Sequence, residues 1–344
     1  MKNSETNKMH EENGFTIIEL MIVMAILGLV LAGVCTTFES GLKDYNVRQA
    51  VTMMQQQGRL AMMSIERDLR MVGYGFTDMG NLHVKGYSSG VQTFDIIGGT
   101  SATTGTTGNP DTFFFRYYDG PLNIASDVTL TSNSTSSKDG QTPVTLATGF
   151  STHDFYVVYD MTQPSLPSTL FRVTSINGST VMHDSSVDPQ FDSSTIELYN
   201  VGCTYSIGSK VLDLGTKKFK YVNYYVDTTN NSLVRQTQDD PSQPIVNHII
   251  ARGIEDIQFE YLFKNGEWQD TPTNDGGNHD INNLRAIRVN ILVRTEQPDQ
   301  MYKSTTPFQL TDTSSNNHAS HSGGGYRRMI LSTVIHPRNL SFRN

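Results

Sequence analysis

The chain opens on a stretch, MKNSETNKMHEENG over 1–14, that is polar and shows no apolar period. Phe15 to Phe38 then reads FTIIELMIVMAILGLVLAGVCTTF, and no charged side chain occurs between Leu20 and Phe38. An α-helix rises about 1.5 Å per residue, so about 20 apolar residues cross a hydrocarbon core of roughly 30 Å. This stretch is long enough to span. A secretory signal peptide has a shorter apolar region and a small-x-small cleavage site after it. Here the boundary, Gly14-Phe15, comes before the apolar run. Further on, Val51, Met54, Gly58, Ala61, Ile65, Leu69 and Val72 recur in steps of three and four, which places them on one helical face. Glu39–Lys43, Asp44–Arg48 and Glu66–Arg70 stand in the favourable i,i+4 order. No proline precedes Pro110, and Gly73 and Gly75 end the pattern. The spacing predicts one helix from about Phe15 to Val72, roughly 85 Å long. Its first half belongs in an apolar medium, and its second half lays a stripe on a globular domain. Glycines 28, 33, 41 and 58 each cost such a helix about 1 kcal/mol in water, whereas Gly28 and Gly33 permit close helix–helix approach in a membrane.

After Gly75 the period shortens. Aromatic and β-branched runs occur at Phe113–Tyr118, Phe155–Tyr159, Thr169–Val173, Ile196–Val201, Phe219–Val226, Leu233–Gln236, Ile257–Phe263, Ala286–Val293 and Met329–Ile335, the composition of half-buried strands. Asp227–Ser232 reads as a hairpin loop and Asn265-Gly266 as a turn. Gly98–Asn109, Ser126–Pro143 and Thr311–Gly325 are rich in Ser, Thr, Gly and Asn, a composition that predicts loops with no need of packed structure. The fold class is therefore α+β: one long N-terminal helix packed on an antiparallel β-sheet domain with long loops. The expected divisions are a leader at 1–14, a transmembrane or filament-core helix at 15–38, its amphipathic continuation at 39–75 and a β-rich domain at 76–344.

Charge and composition remove several functions. The formal charge of −8 argues against a nucleic-acid binder, which carries a basic surplus. The two cysteines, Cys35 and Cys203, exclude a disulfide-dense scaffold and a four-cysteine zinc site. No Walker A, G-x-S-x-G or H-E-x-x-H motif occurs, so nothing marks an enzyme and no cofactor is implied. Asp270, Asn274, Asp275, Asp280 and Asn282 form an oxygen-rich loop with Gly276 and Gly277. Asp270, Asp275 and Asp280 are its calcium candidates, against the alternative of an ordinary polar turn, because the EF-hand spacing is missing. His318 and His321 sit in a Ser/Gly/Asn loop with no adjacent Cys or acidic ligand and read as solvated. Trp268 reads as a packed or half-exposed aromatic. Arg327 and Arg328 fit either an acidic partner or a solvated strand edge.

One residue is out of place. Glu19 lies near the start of the apolar run, where a carboxylate costs about 2.5–3.5 kcal/mol. Either it reaches interfacial water near a helix N-terminus that favours negative charge, or it is retained for a cationic partner. Gly14-Phe15-Thr16-Ile17-Ile18-Glu19, followed by Leu20-Met21-Ile22-Val23, closely resembles the prepilin signature of type IV pilins and type II secretion pseudopilins. That resemblance implies cleavage by prepilin peptidase between Gly14 and Phe15, N-methylation of Phe15, and an assembly contact in which Glu19 meets the Phe15 amine of a neighbouring subunit. Family leaders are commonly basic, whereas this one sets Lys2 and Lys8 against Glu5, Glu11 and Glu12, which weakens the positive-inside argument.

Within that class, the helical segment from Met53 through Asp68-Leu69-Arg70-Met71-Val72-Gly73-Tyr74 is similar to the PilW family of minor pilins. So are Ile249–Tyr261, Leu284–Arg294 and Tyr326–Asn339. The resemblance implies a single-pass inner-membrane protein with a periplasmic C-terminal domain that moves into a pilus at the cell surface. Its partners would be other major and minor pilins through the N-terminal helix, prepilin peptidase, and membrane lipid before assembly. A mature length of about 330 (344 less the leader's 14) fits a subunit used in initiating assembly or near the tip more easily than one densely repeated. The alternatives are a GspJ-like minor pseudopilin of type II secretion and a tip adhesin.

Overall fold

A computed structural model describes residues 15–74, 83–88, 90–95, 97–100, 110–118, 128–135, 140–145, 149–152, 155–160, 162–163, 168–183, 204–215, 219–238, 244–272, 277–299, 301–303, 306–310 and 320–341. The leader with Gly14, the expected strand Ile196–Val201, and Cys203, Asp275 and His318 lie outside the described residues. The chain divides into two compact units, Met1–Thr52 and Met53–Asn344.

One helix, α1 (Ile17–Leu69), runs through the predicted helical span. In the first unit the side chains from Phe15 to Asn46 are all exposed, so among the described residues of that unit none covers the apolar run. Thr36 and Thr37 return their hydroxyls to the carbonyl of Gly33, both at 2.9 Å, which satisfies them without water. In the second unit Met54, Gly58, Ala61, Ile65 and Leu69 are buried, and so is Val72 just beyond the helix. From Met54 onward the predicted stripe is the packed face, while Val51 at its start is half-exposed. A Cβ on Gly58 would stand 2.5 Å from Leu331 Cδ1 and 3.1 Å from Val293 Cγ2, so the missing side chain is what lets the helix approach two strands closely. Of the expected i,i+4 pairs, Glu66–Arg70 closes as an ion pair. The helix ends at Leu69 and gives way to turns over 70–74, in which Gly73 takes φ 72°, a left-handed conformation that glycine adopts without steric cost. Asn339 Nδ2 donates to the carbonyls of Arg70 (3.4 Å) and Val72 (3.2 Å). Asn339 lies in α2 (Arg338–Ser341).

The strands are β1 (His83–Ser88), β2 (Gly90–Asp95), β3 (Ile97–Thr100), β4 (Thr112–Tyr118), β5 (Ser134–Thr135), β6 (Gly140–Pro143), β7 (Phe155–Tyr159), β8 (Ser168–Arg172), β9 (Ser175–Asn177), β10 (Thr180–His183), β11 (Thr204–Tyr205), β12 (Lys210–Gly215), β13 (Phe219–Asp227), β14 (Ser232–Gln238), β15 (Val246–Arg252), β16 (Ile254–Phe263), β17 (Trp268–Gln269), β18 (Leu284–Arg294) and β19 (Arg328–Ile335). Two antiparallel sheets, β15-β14-β13-β4-β3 and β17-β16-β18-β19, hold the main core. Val222, Tyr224 and Val226 face inward from β13, alternating with half-exposed Tyr221, Asn223 and Tyr225. Phe113 stacks on Phe259 with ring centroids 4.9 Å apart, which joins the inner faces of the two sheets. Between them the chain turns at Gly253, at φ 71°. A Cβ there would stand 2.5 Å from the Arg294 carbonyl oxygen, so only glycine fits without moving backbone.

A third sheet, β12-β7-β8-β1-β2, contains a parallel pairing of β1 with β8, a departure from a purely antiparallel domain. The expectation of structureless loops is corrected at several points, β5 and β6 within Ser126–Pro143 among them. Ile97–Thr100 pairs with β4, which takes Gly98 to Thr100 out of the first loop. Val128 and Leu130, inside the second, are buried with Val144, Phe150, Tyr156, Val158, Val173, Val181, Tyr205 and Val211 in a separate cluster. The Leu130 N–H donates to the Ser209 carbonyl at 3.0 Å. A two-residue apolar alternation is too short to read as a strand, and its partners lie far along the chain.

Candidate functional site: the N-terminus of the helix and its anchor

Thr16 precedes the first helical residue, and Glu19 is the third residue inside the helix. The Thr16 N–H donates to Glu19 Oε2 at 3.0 Å, and the Thr16 hydroxyl donates to the same oxygen at 2.9 Å. In return the Glu19 N–H donates to Thr16 Oγ1 at 3.3 Å. This is a reciprocal capping box, which satisfies two helix N–H groups that would otherwise lack partners. The sequence reading missed Thr16, although Thr-x-x-Glu ahead of an apolar run is the signal for it. The carboxylate is therefore held at the positive end of the helix dipole by its own chain. Only Oε2 is used; Oε1 accepts no hydrogen bond among the described residues. Phe15 stands immediately before the cap, 85% exposed.

At the other end of α1 a second carboxylate fixes the helix to the sheet. Asp68 is buried and accepts three hydrogen bonds: from Tyr224 Oη at 2.7 Å, Arg235 Nε at 2.5 Å and Arg67 Nε at 3.2 Å. Ser64, one turn earlier, lies 3.0 Å from the same Tyr224 hydroxyl. Burial, and then the Asp68 carboxylate, hold that hydroxyl well above its ordinary value of 10.0. A group kept protonated by the fold contributes stability that is complete below its unfolded pKa and lost as pH rises through its folded one. Stability is expected to fall with pH above about 10. Tyr224→Phe is expected to flatten that part of the alkaline loss in urea midpoints measured across the range.

The other sequence candidates are spent within the chain. Arg328 donates to Glu255 from Nε at 2.6 Å and from Nη2 at 3.0 Å, and Arg327 Nη2 donates to Asp299 at 2.8 Å. The acidic partners of both arginines are internal; the Arg328 side chain is buried, while that of Arg327 stays 37% exposed. His321 is packed rather than solvated, with Nδ1 3.7 Å from Glu255 and Nε2 3.7 Å from Asp256. Its segment is pinned to Phe308 by two backbone hydrogen bonds, 2.9 and 2.8 Å. Trp268 is half-buried under the Arg288 guanidinium, 4.0 Å from its ring centroid. Among the described residues no three His, Cys, Asp or Glu side chains come together as metal ligands. Asp280 is buried, and its loop is closed by Asn283 Nδ2 donating to Gly277 O at 2.9 Å. Of the three calcium candidates, Asp275 lies outside the described residues, so Asp270 and Asp280 alone are placed.

Comparison with known proteins addresses both ends of this arrangement. Residues 9–34 match the model of the prokaryotic N-terminal methylation motif, which brackets Gly14, Phe15 and Glu19. Residues 223–339 match the model of type IV pilus-assembly protein W, PilW, a stretch that begins in β13 and ends in α2. No curated protein matches the chain. Among solved structures the chain is similar to a type IV-like pilin, TTHA1219 from Thermus thermophilus, at 12% identity and a TM-score of 0.26, over 56% of this chain and 86% of that one.

Proposed function

Because the chain is a type IV pilin-like protein of the PilW family, we propose that it is a minor pilin, processed at Gly14-Phe15, that takes part in initiating the pilus filament and sits near its tip. In this reading the leader 1–14 stays in the cytoplasm, residues 15–38 hold the precursor in the inner membrane, and residues 39–75 carry the helix into the periplasmic domain 76–344. Prepilin peptidase cuts after Gly14, and the new Phe15 amine is methylated. On assembly the apolar helix leaves lipid for a bundle of other pilins' helices, and the protein reaches the cell surface within the pilus.

A single observation carries the proposal: one carboxylate, half-used by its own helix cap, at the head of an uncharged apolar helix that its own unit leaves uncovered. Removing apolar side chains from water drives burial wherever a partner exists, and lipid and neighbouring pilin helices are the two partners of matching chemistry. The ammonium of a neighbouring Phe15 is the group that complements Glu19 Oε1. Its role is structural, and the arrangement calls for no cofactor.

Mass spectrometry of the mature N-terminus tests this directly. The expected species begins at a methylated Phe15, and Gly14→Ala accumulates the longer, unprocessed chain. Mature protein that still begins at Met1, or normal cleavage of the Gly14→Ala chain, would defeat the proposal.

A further inference from the structure

The sheet β15-β14-β13-β4-β3 ends at β15, and among the described residues no strand pairs with that edge. Val246, Asn247, His248 and Ile249 are all exposed. Ile245, Val246 and Ile249 are 48%, 49% and 58% exposed. Natural edges are blunted by charges, proline, bulges or a covering element. Between Ile245 and Ala251 there is no Lys, Arg, Asp, Glu or Pro. Among the described residues the edge is modified toward its far end alone, by a register shift between Ile249 and Ala251 and by Gln57 Oε1 on α1, which accepts the Arg252 N–H at 2.9 Å.

A side-chain ladder leads to this edge. Asn223, Gln236 and Asn247 are direct cross-strand neighbours on β13, β14 and β15. Asn223 Nδ2 donates to Gln236 Oε1 at 2.7 Å, and Gln236 Nε2 donates to Asn247 Oδ1 at 3.0 Å. Each amide gives to the next, so the relay ends in the Asn247 NH2 at the exposed margin. Beside it a second row, Tyr225–Val234–Ile249, ends in exposed Ile249. The margin thus displays Ile245, Asn247 and Ile249 on one face, a sequence that reads the same in both directions about Asn247.

We propose that β15 pairs antiparallel with β15 of a second copy of this chain, in a register centred on Asn247. In that register Asn247 faces its own counterpart, Ile245 faces the second copy's Ile249, and Val246 faces the second copy's His248. Each Asn247 Nδ2 donates to the other's Oδ1, which has two lone pairs and already takes one hydrogen bond from Gln236. The ladder then runs unbroken across both sheets, and the exposed isoleucines cover one another. The self-complementary order is what selects a second copy over an unrelated strand. The pairing spans five residues, less surface than the roughly 1,200–2,000 Å² of stable complexes, so it forms a weak contact that covalent trapping captures. It does not depend on processing at Phe15.

The test uses the full chain in detergent, with Cys35→Ala and Cys203→Ala, under mild oxidation. Cα atoms directly opposed in an antiparallel pair are about 4.5–5.5 Å apart, within disulfide reach. Asn247→Cys is therefore expected to give a disulfide-linked dimer. Ile249→Cys alone, displaced from itself by about 14 Å along the pair, is expected to give none, while Ile245→Cys combined with Ile249→Cys restores it. Val246→Lys added to Asn247→Cys is expected to abolish trapping, because it puts a charge on the edge. The proposal is overturned if Asn247→Cys stays monomeric, if positions 247 and 249 trap equally, which is unregistered collision, or if Asn247→Cys is trapped only to a different protein.

Discussion

Replacing Asp68 by alanine is expected to destabilise the unit 53–344 by about 3–5 kcal/mol, the usual result of removing one partner from a buried ion pair. The cost arises from what is left behind rather than from the attraction lost. The Arg235 side chain is 17% exposed, and without Asp68 its guanidinium has no carboxylate in a place water reaches poorly. Tyr224 keeps only Ser64 for its hydroxyl. Arg67, 72% exposed, contributes little, because exposed pairs bring about 0–1 kcal/mol. Denaturant unfolding followed at Trp268, the only tryptophan, measures the change. A double substitution that also turns Arg235 into Leu is expected to recover most of it, since a hydrophobic replacement of a whole buried pair is close to neutral. If the midpoint of Asp68→Ala stays at the wild-type value, the helix is held by its apolar stripe alone and the carboxylate is incidental.

Asp68 also shows where a sequence stops being legible. The stripe from Met54 to Val72 was readable because steps of three and four are a local signal, and the packed face follows it residue for residue. Asp68 lies beside that stripe, and an Asp between two arginines on a helix reads as solvated. Its partners stand 156 and 167 residues away, so only the fold reveals them. The same holds at β16. Its strand signal was read from Ile257, yet the strand begins at Ile254. Glu255 and Asp256 look like a solvated turn, but Glu255 is neutralised by Arg294 and Arg328 from neighbouring strands. Edge strand β15 is illegible for another reason: both faces are exposed from Val246 to Ile249, so that stretch has no inward–outward alternation to detect. At the N-terminus the position is reversed. Gly14, Phe15 and Glu19 were singled out from a contiguous motif. Thr16 is equally local, and its Thr-x-x-Glu spacing is the cap that holds the charge.

The cap and the charge at Glu19 carry the second large effect. Glu19 does two things, capping its own helix and offering an anion to a neighbour, and three substitutions separate them. Thr16→Ala removes the cap and keeps the charge; N-cap losses run about 0.5–2 kcal/mol, so assembly is expected to weaken modestly. Glu19→Gln keeps an oxygen to accept the Thr16 N–H and removes the charge. A carboxylate–ammonium pair at 4 Å is worth about 4 kcal/mol at an effective dielectric near 20, so its loss is expected to lower incorporation by on the order of a thousandfold. Glu19→Ala loses both and is expected to fall at least as far. All three are expected to be cleaved normally after Gly14, because none alters the residues at the cut. Quantifying the protein in sheared pilus fractions against the processed pool in the membrane reads the two steps apart. The decisive comparison is Glu19→Gln against Thr16→Ala. If the glutamine chain enters filaments as the wild type does while the Thr16 chain fails, the carboxylate serves as a helix cap and the neighbour's amine is not its partner.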